Sequence, residues 1–581
     1  MNRTVVPLIL FLGAFLIHGT FFERNKKLDK NSGRTFSTPE IIQENDLYKI
    51  RTLYLSILPE DFNFLFSKKP LSLTSFQMAK ASINRPSAKK RVKIRIRGSH
   101  AWHWQSNKPS FRIRTSSNDQ IWNRKFLDLI NPEDPTMLVN VIGDFLAQKI
   151  GLVASRTRFC RVWVNDLYFG LYHLTDRFDE EFLQTRGIFD SVAIEGNSWK
   201  SEMWRNPDLW DVSAINPETH ASVRKEIGNL LKLVSPSASF DNVQQLTKSV
   251  DFESLASWSA FLTLIGSLHA DDFHNQHFIF DEKMKVFSPV VWDSSGFGSL
   301  TNTGLKFETE DFEIPLYEYL TPLTNAAFRS HSFHFLRNKC LWILLKNHCN
   351  SGLIKNLADK LFDAILSFSK EEKNRGALIN IPVLKFPIRL PISLKTQAFS
   401  VDSLKRWVDC RFEFIQRSLS SASVCLYPLL EVSGSQAPEF RSFVIEVNGN
   451  SPVEWDLGVL SFSVRLDKDK SKTVLSNDPF SSKNLIVYPG LHEVYGKEIP
   501  WIQTNARLLN FVLEPASQTY LIGIQRDNFG RVIQVLKEGK NSITGESVSV
   551  NIASKSFIPE DLYPLQSCVH PWGDDKLGIT N

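Results

Sequence analysis

The stretch from Asp251 to Gly298 constrains the fold more than any other part of the chain. Asp251 is placed to cap a helix running from Phe252 to about Leu268, with Leu255, Trp258, Leu262 and Ile265 facing inward. A dense polar cluster follows at once: His269-Ala270-Asp271-Asp272-Phe273-His274-Asn275. A hairpin pattern comes next, from His277 to Phe280, a turn at Asp281-Glu282-Lys283, and a return from Lys285 to Val291. It delivers Trp292-Asp293-Ser294-Ser295-Gly296-Phe297-Gly298. A hairpin brings the chain back to where it started, so Asp293 is expected close to Asp271 and Asn275. Gly296 and Gly298 allow a tight turn behind Asp293.

Carboxylates and an amide before a hairpin, with one more carboxylate after it, suit phosphoryl transfer. A base accepts the proton of the attacking hydroxyl, and hard oxygen ligands hold Mg²⁺ against the phosphates. Protein kinases use this order: an Asp and an Asn on a loop, a hairpin, then a metal-binding Asp before a Gly. Here Asp271 competes with Asp272 for the role of base, and Asn275 follows Asp271 one residue sooner than in the usual kinase loop. A lysine on an N-terminal strand completes the set, and Lys108 fits. It precedes the strand of Phe111 and Ile113 and is expected to share the face of Ser110, Arg112 and Arg114.

Taken singly, each residue has a plainer reading. Asp271 and Asp272 read as turn residues after a helix, Asp293 as a solvated strand end, and Lys108 as a surface lysine. His269, His274 and His277 offer a different metal set, but there is no HExxH motif to support it. The order of the residues along the chain is what favours phosphotransfer.

The remaining sequence bounds the setting. At 581 residues the chain exceeds one compact core, and 42% hydrophobic with 22% charged residues is ordinary for a soluble globular protein. A net charge of +6 is small for this length and does not argue for nucleic-acid binding, which usually needs a concentrated basic face, so no nucleic-acid partner is expected. Arg3 precedes an apolar run from Val5 to Ile17, long enough for a signal-peptide core and short for a membrane span. Residues 1–22 are thus expected to be a signal peptide or an uncleaved membrane anchor, and polar residues 23–45 a linker. Either reading places the protein outside the cytosol: exported, in the periplasm, at the cell surface or membrane-anchored. The six cysteines form no CxxC pair, and buried thiols are the simplest expectation.

Strand patterns appear at Leu47 to Leu58, Arg91 to Arg97 and Ser110 to Arg114, and a hairpin at Phe159 to Leu174 turns at Asn165-Asp166. Helices are expected over Asp134 to Ile150, most of His334 to Lys370, and Val401 to Leu419. From about Glu431 short apolar runs such as Phe443 to Val447 and Tyr520 to Ile524, separated by Gly, Asn, Asp and Pro, predict a β-sandwich-like domain.

These residues resemble the CotH kinase family, the atypical protein kinases of the spore coat protein H type. The likeness runs through Val92 to Gly98, Lys108 to Ile113, Val162 to Asn165 and Gly170 to Leu174. It continues through Asp271 to Asn275, Val291 to Gly298, and Leu404 to Trp407 with Arg411 and Phe412. Where the family often has Glu after the Gly-x-Tyr strand and Lys before a later Gly, this chain has Asp176 and Glu195. The resemblance implies a divergent protein-kinase-like bilobal domain over 46–428; followed by the β-sandwich-like domain that the strand patterns predict over 431–581, this makes the expected fold class α+β. The resemblance also implies a metal-dependent kinase that moves the γ-phosphoryl group of ATP to Ser or Thr of a cell-envelope or coat protein, with Mg or Mn. Lys108 would bind the nucleotide phosphates, Asp271 or Asp272 would be the base, and Asn275 and Asp293 would hold the metal. The alternative is a non-catalytic surface adhesion protein on the same scaffold.

Overall fold

The computed structural model describes residues 43–420 apart from 70, 87–88, 99–100, 105, 117–119, 197–200, 214–216, 236–239, 271–274, 299–311, 315, 317–320, 329–330 and 380–387. Beyond 421 it describes the backbone of strands between 422 and 552. The expected N-terminal signal or anchor, Asp271, Asp272 and His274 lie outside the described residues.

Seven strands close into a barrel: β1 (Arg51–Ile57), β2 (Gln77–Ile83), β3 (Lys90–Ile96), β4 (Phe111–Thr115), β5 (Phe126–Ile130), β6 (Arg158–Val164) and β7 (Leu167–Thr175). The order is β1-β2-β3-β4-β5-β7-β6, and β6 closes it by pairing with β1 in parallel, Leu53 opposite Val162. Alternation in the sequence dictates the two faces. Val92, Ile94 and Ile96 fill the barrel, while Arg91 before them and Lys93 between them are exposed and Arg95 is half-buried. Helix α1 (Pro59–Ser67) adds Leu65 to this core and sets Phe66 edge-on to Phe111 and Phe169. The β6–β7 turn uses Asn165 and Asp166 at φ 48° and 66°, the paired left-handed residues that a two-residue hairpin requires.

The second layer is a sheet of β8 (Ser191–Gly196), β9 (Trp210–Ser213), β10 (Gln276–Asp281) and β11 (Val286–Pro289), ordered β11-β10-β8-β9. Around it lie α2 (Val139–Lys149), α3 (Phe252–Ile265), α4 (His331–Ile343), α5 (Ser351–Glu371) and α6 (Leu394–Ser420), which share one large core. Several helix ends differ from the sequence pattern, and α6 starts at Leu394 rather than Val401. α2 starts at Val139 rather than Asp134, because residues 134–138 form a turn in which the Leu138 amide donates to Thr136 and Met137 is left-handed. α3 ends at Ile265 rather than Leu268, because Gly266 at φ 68° caps it. Asp251 does cap its start, accepting from the Ser254 amide at 3.0 Å.

The chain is therefore mixed α+β, as expected, but the closure of its first sheet into a barrel went beyond any local pattern. Strands between Ala422–Pro428 and Ser547–Ile552 form a ten-stranded and a two-stranded sheet among the described residues, with the expected runs paired as Phe443 opposite Ile522. Cys160, Cys340 and Cys349 are buried free thiols and Cys410 is a half-buried one. No helix among the described residues is long and apolar enough to cross a membrane.

Barrel and helices are joined by a buried ion pair. Lys108 and Glu372 side chains are each 1% exposed and meet at 2.6 Å. The second Glu372 oxygen accepts from the Leu171 amide at 3.0 Å, and Lys108 also donates to the Leu171 carbonyl at 2.6 Å. Gly170, at φ +117°, makes room: a Cβ there would sit 2.4 Å from the Glu372 carboxyl carbon. Tyr172 lies under the ammonium at 4.9 Å and donates to the Pro109 carbonyl. Lys108 thus points inward, unlike Arg112 and the exposed Arg114. The chain bends over 106–108 and the strand begins only at Phe111, so the two-residue alternation does not extend back to Lys108.

Removing one partner of such a pair strands a buried charge. Glu372→Ala is expected to lower stability by about 3–5 kcal/mol, and adding Lys108→Met is expected to restore part of the loss. Chemical denaturation of the parent and both variants measures this; an unchanged midpoint in Glu372→Ala would contradict it.

Candidate functional site

The β10–β11 hairpin sets the geometry of the site. Phe278 pairs with Pro289, and the Val290 amide donates to the His277 carbonyl at 2.8 Å, so the residues flanking the hairpin converge. Asn275 precedes it and Asp293 follows it, both left-handed at φ 58° and 46°. His269 connects the two. Its carbonyl accepts from the Asn275 side-chain amide at 3.3 Å, and its Nε2 lies 3.0 Å from an Asp293 carboxylate oxygen.

The other Asp293 oxygen accepts from Asn140 Nδ2 at 2.8 Å and Ser295 Oγ at 3.2 Å. Asn140 comes from the first turn of α2, so three separate stretches of chain meet at this carboxylate. The Asp293 side chain keeps 35% of its surface exposed. Burial alone would raise its pKa. His269, by charge and hydrogen bond, and Asn140 outweigh that and hold the carboxyl well below the usual range. Asp293 is an ionised, partly accessible carboxylate at neutral pH.

The turn behind Asp293 is fixed by close packing. A Cβ on Gly296 would sit 2.6 Å from the Ile265 carbonyl, and one on Gly143 would sit 2.2 Å from Ser294 Oγ. Phe297, at φ 58°, donates its amide to the Ile265 carbonyl and packs edge-on to Trp407 of α6 at 6.0 Å. Arg411, also on α6, is buried and donates to the Phe312 and Thr263 carbonyls at 2.8 and 2.9 Å. Beneath Ser294 lies Asp144 of α2, which accepts from Thr157 at 2.5 Å and Ser294 at 3.2 Å. Burial, reinforced by the Asp293 charge, pushes Asp144 up to about 8.

The barrel rim supplies the facing wall. Gly98, at φ +111°, follows β3 and leaves space for His103, whose Nδ1 lies 3.2 Å from Glu133 on the loop after β5. Burial and the Arg97 charge hold His103 near 3, so its imidazole is neutral. Burial and the Asp293 charge raise Glu133 above its ordinary value. A hairpin of β12 (Gly376–Ile379) and β13 (Ile388–Pro391) secures that loop: the Leu378 amide donates to the Glu133 carbonyl, and Arg389 to the Pro132 carbonyl at 2.7 Å.

Of the residues singled out in the sequence, Asn275 and Asp293 are brought together, through His269. Lys108 lies in the barrel–helix ion pair, where burial lowers its pKa against the opposing pull of Glu372. His277 is 3% exposed and stacked on Trp292 at 4.7 Å with Phe178 edge-on, while His269 faces Asp293. Among the described residues no three His, Cys, Asp or Glu side chains group as a metal site. Asp176, where the family often has Glu, is buried between Arg186 at 2.6 Å and Arg124 at 3.2 Å. Asn140, Glu133, His103 and Glu372 were not singled out. For His103 and Glu372 the nearby glycines were an available signal, since glycine at a strand or its end often marks a close approach.

A family model described as CotH kinase protein matches residues 94–414, just over half of the chain. No curated protein matches the sequence.

The buried acid under the turn gives a pH test. Unfolded, Asp144 loses its proton near 3.8; folded, it keeps it to about 8, so between those values the folded state binds more protons and Asp144 makes stability fall as pH rises. Asp144→Asn is expected to remove that contribution, so the melting temperature of the variant minus that of the parent should grow with pH across the window. A difference that stays flat would contradict the buried, protonated state.

Proposed function

The chain belongs to the CotH kinase protein family, and on that premise we propose that it is a metal-dependent protein kinase. In this reading it moves the γ-phosphoryl group of ATP to a Ser or Thr hydroxyl of a cell-envelope or coat protein. The barrel acts as one lobe and the helical layer as the other, in a divergent kinase-like arrangement. The observation that carries the reading is Asp293: ionised, about one-third exposed, and held by a hairpin beside Asn275.

The donors present suit Mg or Mn. Asp293 offers carboxylate oxygen, and Asn140 and Asn275, whose Nδ2 atoms donate to Asp293 and to the His269 carbonyl, would add their amide oxygens to make a hard oxygen set. When bound, the metal would neutralise charge on the phosphates during transfer. The remaining work falls to the chain. Asp271, or Asp272 beside it, would accept the proton of the attacking hydroxyl. That oxygen forms a bond to the γ-phosphorus as the bond from phosphorus to the β–γ bridging oxygen breaks, and ADP carries away the electron pair. Asn140 and His269 would orient the Asp293 carboxylate. Lys108, with Glu372, parallels the lysine–glutamate pair of protein kinases; its buried ammonium already donates to Glu372 and the Leu171 carbonyl, so two of its three donors are engaged. Export is part of the proposal, resting on the apolar run from Val5 to Ile17.

Purified protein incubated with labelled ATP and Mg²⁺ or Mn²⁺ should transfer label, and Asp293→Ala should reduce transfer by about a thousandfold or more. Transfer at the parent rate in Asp293→Ala would overturn the metal role. A parent chain that binds no nucleotide would overturn the kinase reading and leave surface adhesion in its place.

A further inference from the structure

The barrel wall beside the site carries a charge pattern that phosphotransfer itself does not use. Arg91, Lys93, Arg95 and Arg97 alternate with the inward residues of β3 and share its outer face. Across the wall Lys80 stands opposite Arg91, Lys93 opposite Arg114, and Arg95 opposite Arg112. Like charges directly opposite in an antiparallel pair are destabilising, and three such pairs lie side by side. Asp128 compensates only one end, holding Arg112 at 2.6 Å and Arg97 at 3.5 Å. Among the described residues Lys80, Arg91, Lys93 and Arg114 form no salt bridge, and Arg91, Lys93 and Arg114 are all exposed. The neighbouring residue opposite Lys93 on β2 is Met78, 48% exposed.

We propose that this wall docks an acidic stretch of the protein substrate, making proteins with Asp- or Glu-rich sequence beside the acceptor Ser or Thr the substrate class. The ladder leads to the site. Arg97 is followed by Gly98 and the turn holding His103, 3.2 Å from Glu133. From Arg97 back to Arg91 the strand covers roughly 20 Å, the length of about six extended residues. A single extended chain with acidic side chains along it matches that line better than a flat bilayer matches the outside of a closed barrel. The barrel offers no free strand edge here, so recognition falls to side-chain charge. The partner's identity as a phosphoacceptor rests on the kinase reading; the charge match does not.

The test uses the full chain without ATP. Fluorescence anisotropy follows a labelled Ser peptide flanked by alternating Glu, and the same peptide with Gln in place of Glu. The Glu peptide is expected to bind about tenfold tighter, a gap that shrinks as salt rises. The variant Lys80→Gln, Arg91→Gln, Lys93→Gln, Arg114→Gln should abolish the gap. Relieving like-charge pairs should leave its melting temperature unchanged or higher; if it does not fold, Lys93→Gln with Arg114→Gln makes the same comparison. Equal binding of the two peptides, or a gap that survives in the variant, would overturn the proposal. So would a variant that loses only binding to phosphatidylglycerol vesicles, which would assign the wall to a membrane. Because no ATP is present, a failed kinase assay leaves these results interpretable.

Discussion

The ion pair between Lys108 and Glu372 is the contact on which the rest of this architecture depends. Its residues are 264 apart in sequence, and each is nearly fully buried. Burying two charges is costly, and the geometry meets that cost with further bonds: Glu372 also takes the Leu171 amide, and Lys108 the Leu171 carbonyl. Gly170 exists at this place because any side chain would collide with the glutamate. Through β7 the pair fastens the barrel to the end of α5, and so sets the distance between the barrel rim, with His103 and Glu133, and the helical side, with Asp293.

Within that frame the turn from Trp292 to Gly298 is a packing solution as much as a chemical one. Gly296 lets the chain touch the Ile265 carbonyl, Ser294 rests on Gly143, and Phe297 is pinned against Trp407. These contacts hold left-handed backbone at Asp293 and Phe297, conformations that non-glycine residues adopt only when surrounding structure enforces them. The result is a carboxylate presented at a fixed angle, with one oxygen steered by Asn140 and Ser295 and the other by His269. That α6 supplies Trp407 and the buried Arg411 explains why a helix more than a hundred residues downstream belongs to the same matched segment.

What could be read in the sequence was what local physics decides. The alternation of β3, the Asp251 cap, the Asn165-Asp166 turn and the 276–289 hairpin each follow from a few neighbouring residues, and each is present. The hairpin alone sufficed to place Asn275 near Asp293. Features made by distant residues stayed hidden. Nothing near Asp293 announces Asn140, which lies 153 positions away, and no periodicity links Lys108 to Glu372. Extending strand alternation back to Lys108 failed for the same reason: its direction is set by a bend and a remote carboxylate. Barrel closure likewise depends on one parallel pairing, β1 with β6, that neither strand encodes by itself.

The central claim is that Asp293 is a metal-binding carboxylate of a phosphotransfer site. Mn²⁺ binding followed by electron paramagnetic resonance, with a non-hydrolysable ATP analogue present, tests it without depending on any protein substrate. The account predicts nucleotide-dependent Mn²⁺ binding in the parent and its loss in Asp293→Asn, with the fold intact. Equal Mn²⁺ binding by parent and variant would contradict it.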